Sequence, residues 1–162
     1  MAVETFLEIK KLLDNKKVEY THLTHDHVKT SHDAASIRDT DIKDALKAII
    51  LKAQHDDGKY VFFQAVIPAN ERIDLKKLKL LLATKNVALA SPQEVLEHTG
   101  CTVGSVPPFA KLFKMEVYAD ESILNKDLVV FSAGTHNDSI RMKAKDYYYA
   151  LEPKVAEFKK KY

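Results

Sequence analysis

Apolar positions recur along this chain with two periods, and the switches between them outline its elements. Near the start, Phe6, Ile9, Leu12 and Leu13 fall on one side of a helical wheel, with Lys10, Lys11 and Lys16 on the other. That spacing predicts an amphipathic first helix. Residues 18–25, VEYTHLTH, alternate loosely and predict a strand. TSHDAASI follows, with Thr30 or Ser31 as N-cap and Asp33 in the first turn of a short helix. ALKAIILKA (45–53) and KYVFFQAVIP (59–68) are apolar almost throughout, as central strands covered on both faces are. Asp57-Gly58 in their link signals a hairpin. IDLKKLKLLLA predicts a helix capped by Asp74, with Leu75, Leu78, Leu81 and Leu82 on one stripe, and NVALA a short strand.

SPQEVLEHTG carries a full set of helix signals: Ser91 as cap, Pro92 at the first helical position, Glu94 completing a capping box and Gly100 as terminator. KMEVYAD and DLVVFSAG predict strands, and THND turns the chain into a further strand, SIRMKA. The stretch KDYYYALEPKVAEFKKKY predicts one or two helices, with Pro153 opening the second. Helices punctuate strands that are often joined by short links, without internal repeat or regular βα alternation. The expected fold is α+β: one domain over residues 1–162, with a mixed sheet flanked by helices.

Composition narrows the class. The 162 residues are 46% hydrophobic and 30% charged, as in ordinary globular domains, and long enough to bury a core without staples. The single cysteine, Cys101, excludes an internal disulfide and fits a reducing compartment. The first residues lack the features of a signal peptide, and no apolar run reaches membrane-spanning length, so the expected location is cytoplasmic, away from membranes. A net charge of +2 is low for a protein that holds nucleic acid mainly through phosphates. Any RNA contact is then local, weak or helped by a partner.

Three features carry candidate chemistry. Lys47 shares a strand face with Ile49 and Leu51, so it either opens into a pocket as a partly desolvated charge or is solvated at the strand's start. TGCTVGSVPPF (99–109) is stiff and poor in donors. Gly104 permits a positive φ, Val106 and Pro107 are pushed extended by the prolines after them, and Pro107 and Pro108 lack N–H groups. It suits a pocket wall or a rigid helix-to-strand connection. SAGTHNDS (132–139) is a turn whose N–H groups can converge on an oxyanion, or an ordinary hairpin in which His136 orients a substrate or is merely exposed. Four histidines (His22, His25, His27, His32) crowd residues 22–32 without cysteine or carboxylate partners at zinc-type spacing, so no metal is expected. The lysines at 76, 77, 79 and 159–161 read as solvated faces, or as contacts for RNA phosphates.

The order of these pieces resembles the YbaK/prolyl-tRNA editing family, free-standing aminoacyl-tRNA deacylases related to the editing domain of some prolyl-tRNA synthetases. The likeness runs over about residues 20–146. It is carried by HVKTSHDAA, the strand bearing Lys47, IPANERIDLKKLKLLL, the glycine–proline segment and VVFSAGTHNDSIRM. The resemblance implies a curved mixed sheet flanked by helices and no cofactor. By position it implies Lys47, Gly104 and Gly134 as catalytic, with Thr30, Ser105, Val106, Pro107, Pro108, Phe109, Thr135 and His136 lining the substrate. Ala48 departs from the Thr or Asn that often follows the lysine, which leaves the subfamily open.

The activity so implied is trans-acting hydrolysis of a mischarged tRNA at its 3′ aminoacyl end, with Ala-, Cys- or Ser-type charging on tRNA-Pro or a related tRNA. A synthetase is a possible partner. Backbone N–H groups near Gly104 or Gly134 would meet the oxyanion, and a stiff proline wall would reject oversized side chains. Two other readings stand: a non-catalytic module binding aminoacyl-tRNA, a nucleotide or a synthetase, and a hydrolase using Cys101.

Overall fold

The computed structural model describes residues 2–25 and 44–161. Thr30, the short helix expected after it, His27 and His32 lie outside the described residues. Helix α1 (Ala2–Asn15) buries Ile9 and Leu13 and leads to strand β1 (Tyr20–Thr24). Strands β2 (Leu46–Gln54) and β3 (Tyr60–Pro68) form the expected hairpin, with Gly58 at φ +85° and the Asp57 carboxylate accepting from the Lys59 N–H. Helix α2 (Leu75–Leu81) starts at Asp74, whose side chain accepts from the N–H groups of Lys76 and Lys77. Strand β4 (Val87–Leu89) precedes α3 (Pro92–Thr99), where the Ser91–Glu94 capping box and the left-handed Gly100 terminator are both formed. Strands β5 (Glu116–Asp120), β6 (Leu128–Ser132) and β7 (Asp138–Lys143), helix α4 (Ala144–Leu151) and strand β8 (Lys154–Ala156) complete the order. Short 3₁₀ helices, Ala110–Phe113 and Glu121–Asn125, flank β5.

The strands lie in two sheets. One is mixed, in the order β4-β2-β3-β5-β8, antiparallel as far as β3 and parallel beyond it; the other is antiparallel, β1-β7-β6. A parallel bridge from Ala45 to Val130 stitches β2 to β6 and so joins the sheets. The alternation of β2 explains its unbroken apolar run. Leu46 and Ile50 enter one core with Ile9, Val95, Phe131 and Tyr147, while Leu51 and Ala53 enter a second with Leu78, Phe63 and Phe158.

The C-terminal region differs from expectation. Helix α4 forms, but Glu152 ends it in the left-handed region (φ +53°), and Pro153 leads into a strand rather than a second helix. The reason is nonlocal: β5 has an open edge, and Val155 pairs in parallel with Ala119 along it. Beyond β8 the chain is held by Asp120. This fully buried carboxylate accepts from the N–H groups of Phe158 (3.0 Å), Lys159 (3.1 Å) and Ser122 and from the Ser122 hydroxyl. The two lysine runs also meet here. Lys77 and Lys161 both pair with Glu157, Lys159 pairs with Glu71, and Ile73 bridges Lys159.

Asp120→Ala leaves three backbone N–H groups without their acceptor at a buried site. It is expected to lower the denaturant midpoint, with a loss of about 3 kcal/mol or more and an unchanged m value.

Candidate active site

The glycine–proline segment leaves α3 as a tight turn. The Ser105 N–H and hydroxyl both donate to the Thr102 carbonyl, and Gly104 sits at φ +91°. Val106, Pro107, Pro108 and Phe109 then run through the interior. Since the prolines cannot donate, their carbonyls are fixed from outside. Gln64, fully buried on β3, donates through Nε2 to the Pro107 carbonyl (2.9 Å) and accepts through Oε1 from the Ala110 N–H (3.1 Å). The Tyr147 hydroxyl donates to the Pro108 carbonyl (2.8 Å), and burial pushes its pKa well above 10.0. The Phe109 ring packs between Phe131 and Tyr147, both at 5.5 Å.

The second glycine loop docks on the first. The Gly134 N–H donates to the Ser105 carbonyl (3.0 Å), the Ser132 hydroxyl to the Gly104 carbonyl (3.0 Å), and His136 Nε2 lies 2.7 Å from the Thr102 hydroxyl. A Cβ at Gly104 would come within 3.3 Å of the His136 ring. Thr135 donates to the Asp138 carboxylate (2.6 Å), which also meets His22 (2.7 Å). Burial alone would raise the Asp138 carboxyl, but the Thr135 and His22 hydrogen bonds outweigh it and hold it below the usual range. His25 Nε2 meets the buried Ser139 hydroxyl at 2.7 Å.

These bonds sort the available donors. The N–H groups of Gly134 and Ser105 are spent inside the protein, which removes Gly134 as an oxyanion donor. Those of Gly104, Val106 and Phe109 make no hydrogen bond among the described residues. Gly134 instead couples one loop to the other.

Lys47 is half-buried on the β2 face that carries Ile49 and Leu51. Burial lowers its pKa from the ordinary 10.5, the nearby Arg72 lowers it further, and Glu71 acts in the opposite sense. Its ammonium makes no hydrogen bond or ion pair among the described residues. The isolated parallel bridge between Ala45 and Val130 places the start of β2, two residues before Lys47, beside β6. A cavity of about 560 Å³ lies elsewhere, at the hairpin end of β2 and β3 beside Phe62 and Lys114.

Cys101 is fully buried against Thr5 and Thr99, and burial pushes its thiol up. It has no histidine or carboxylate partner among the described residues, so the geometry of a cysteine hydrolase is missing. Among the described residues no group of three or more His, Cys, Asp or Glu could hold a metal ion. No helix there is long and apolar enough to cross a membrane.

Sequence reasoning missed Gln64, Tyr147 and Ser132, which fix the loop backbones. The legible signal was Gln64, an amide inside the apolar run KYVFFQAVIP. The Ser132 hydroxyl and one tyrosine of three in a row gave none.

The chain is similar to known proteins. The family model for an aminoacyl-tRNA editing domain matches residues 25–148, a span that contains Lys47 and both loops. The chain is 29% identical over 150 residues to the multifunctional Ser/Thr-tRNA deacylase ProXp-y of Escherichia coli (strain K12), covering 92% of this chain and 89% of that one. It is 30% identical over 136 residues to the proline–tRNA ligase of Brachyspira hyodysenteriae, covering 84% of this chain and 22% of the ligase. The crystal structure of a candidate trans-editing enzyme for prolyl tRNA synthetase superposes with a TM-score of 0.79 at 22% identity, covering 97% of this chain and 98% of that one, and so shares the α+β fold. This chain belongs to the aminoacyl-tRNA editing domain family.

Proposed function

We propose that this protein is a trans-acting aminoacyl-tRNA deacylase, which hydrolyses the ester joining a wrong amino acid to the 3′ end of a tRNA. The observation that carries the reading is the rigid, donor-poor wall Val106–Pro107–Pro108, clamped by Gln64 and Tyr147 and joined to the second glycine loop. Its unengaged N–H groups sit beside the carbonyls of Gly104, Ser105, Pro107 and Pro108, each held by a hydrogen bond.

An aminoacyl ester is already activated, so no covalent nucleophile is needed. Water attacks the carbonyl carbon, the tetrahedral oxyanion takes hydrogen bonds from the N–H groups of Gly104 and Val106, and the C–O ester bond breaks. The ribose oxygen leaves with a proton, giving free amino acid and tRNA. The Lys47 ammonium holds the polar aminoacyl-adenosine end in register, and the neighbouring ribose hydroxyl orients the water. Ser105, Pro107, Pro108 and Phe109 shape the side-chain pocket, while Thr135 and His136 brace its second loop. A wall that does not yield rejects the larger cognate residue, as in a second sieve. The substrates that fit are small: Ala, Cys or Ser on tRNA-Pro or a related tRNA, with Thr added by the activity named for the Escherichia coli relative. Similarity to proline–tRNA ligases makes a synthetase the natural macromolecular partner.

A panel of mischarged tRNAs tests the reading directly. At least one of the Ala-, Cys-, Ser- or Thr-charged species should be deacylated well above its spontaneous rate; binding without turnover across the panel would make the protein a binding module. On the best substrate, Lys47→Ala should lower kcat/KM by about 10²-fold or more with an unchanged thermal midpoint.

The pH dependence carries a sign. Because the Lys47 pKa is lowered, the charged form disappears as pH rises through a value below 10.5. After subtraction of base hydrolysis, kcat/KM should fall on that alkaline limb, and Lys47→Arg should move the limb to higher pH. Gly104→Ala strains a positive-φ residue and presses on His136, so kcat/KM should drop with a stability loss of about 1 kcal/mol. Cys101→Ala should keep kcat/KM within about twofold of wild type.

A further inference from the structure

We infer that the far end of the β6–β7 ladder is a binding surface for the sugar–phosphate backbone of RNA, and that it holds the acceptor strand while its aminoacylated end enters the site described above. The inference rests on the deacylase reading for the identity of its ligand, but on separate residues. A groove of about 520 Å³ opens there, lined by Lys126, Lys143 and Lys145, with the acid Asp127 and the exposed Leu124 and Leu128 beside them and Tyr148 as an aromatic wall.

Strand register ties this groove to the candidate site. Ser132 pairs with Ser139 at the loop end of the ladder, and Leu128 pairs with Lys143 at the other. Alternation puts Ser139, Arg141 and Lys143 on one face of β7, opposite the face through which Ile140 and Met142 enter the core. The cations of Arg141 and Lys143 thus follow one another at roughly 7 Å along the strand, an interval suited to successive phosphates of an extended chain. Lys143 stands about 14 Å from Ser139, a few nucleotides back from an ester held at the glycine loops. Arg141, Lys143 and Lys145 make no hydrogen bond or ion pair among the described residues.

The contrast with the other lysine runs is informative. Lys77, Lys159 and Lys161 are paired with Glu157 or Glu71, whereas Arg141, Lys143 and Lys145 have no such partner among the described residues. The open charges of Lys143 and Lys145 in a groove with an aromatic ring fit a polyanion with stacking bases, and fit an acidic protein face less well.

The test compares wild type, Lys143→Glu/Lys145→Glu, the milder Lys143→Gln/Lys145→Gln, and Lys76→Glu/Lys79→Glu as control. Two substrates bearing the same amino acid are used: full-length mischarged tRNA and a 3′-aminoacyl-adenosine. Binding of an uncharged acceptor-stem hairpin is followed by anisotropy over a salt series.

The surface reading expects both 143/145 variants to raise KM on the tRNA, the charge reversal by about tenfold or more, with kcat kept. It also expects unchanged hydrolysis of the short ester, and a salt slope for hairpin binding that is shallower by about one for each phosphate the variant no longer neutralises. The control should behave as wild type. Equal losses on both substrates, or unchanged tRNA kinetics and salt slope, would overturn it. So would a weakened synthetase complex with RNA affinity intact. Wild type that hydrolyses neither substrate, yet shows the predicted salt slopes, would overturn the deacylase reading and leave the surface standing.

Discussion

One buried carboxamide organises the candidate site. Gln64 is the polar exception in an apolar strand, and its two ends match two backbone groups on either side of Phe109, the Pro107 carbonyl and the Ala110 N–H. Leucine in its place would strand both partners at a cost of about 1–3 kcal/mol each. Glutamate could accept from Ala110 but would set a carboxylate against the Pro107 carbonyl. Only an amide of that length donates and accepts together. Because prolines cannot fix themselves through N–H bonds, the shape of the wall is delegated to this side chain and to Tyr147. Everything downstream inherits that decision: the packing of Phe109, the Ser105 carbonyl offered to Gly134, and the docking of the second loop.

The same economy of donors explains how two loops divide their work. Gly134 closes the junction by spending its N–H on the first loop. Gly104 accepts from Ser132 through its carbonyl and keeps its N–H unengaged. A pair of glycines that look alike in sequence therefore separates into a structural link and a candidate donor. Lys47 stands near the start of β2. Its strand is covered on both faces, and the bridge from Ala45 to Val130 brings the start of that strand beside β6.

Local chemistry made part of this legible. The Ser91–Glu94 box, Pro92 and Gly100 define α3 within ten residues, and Asp57-Gly58 defines the hairpin, because each signal acts on its immediate neighbours. The glycine–proline segment stood out for the same reason. What escaped depended on partners far along the chain. Residues 154–156 carry no strand pattern and become one because β5 has a free edge. Tyr147 cannot be told from Tyr148 or Tyr149 until Pro108 lies above it. The lysine runs looked like open charge until Glu157 and Glu71 came to meet them.

The attachment of β8 has a consequence for synthesis. Tyr118 pairs with Lys154, thirty-six positions later, and Asp120 waits for the N–H groups of Phe158 and Lys159. Parallel pairing of this kind is nonlocal, and closing the intervening chain is a cost that local structure does not meet. Until residues 154–159 have left the ribosome, the Asp120 carboxylate lacks two of its donors and Phe158 is missing from its core. A growing chain thus holds Lys47 and both glycine loops before residues 154–159 emerge to pair with β5 and to bring Phe158 into its core.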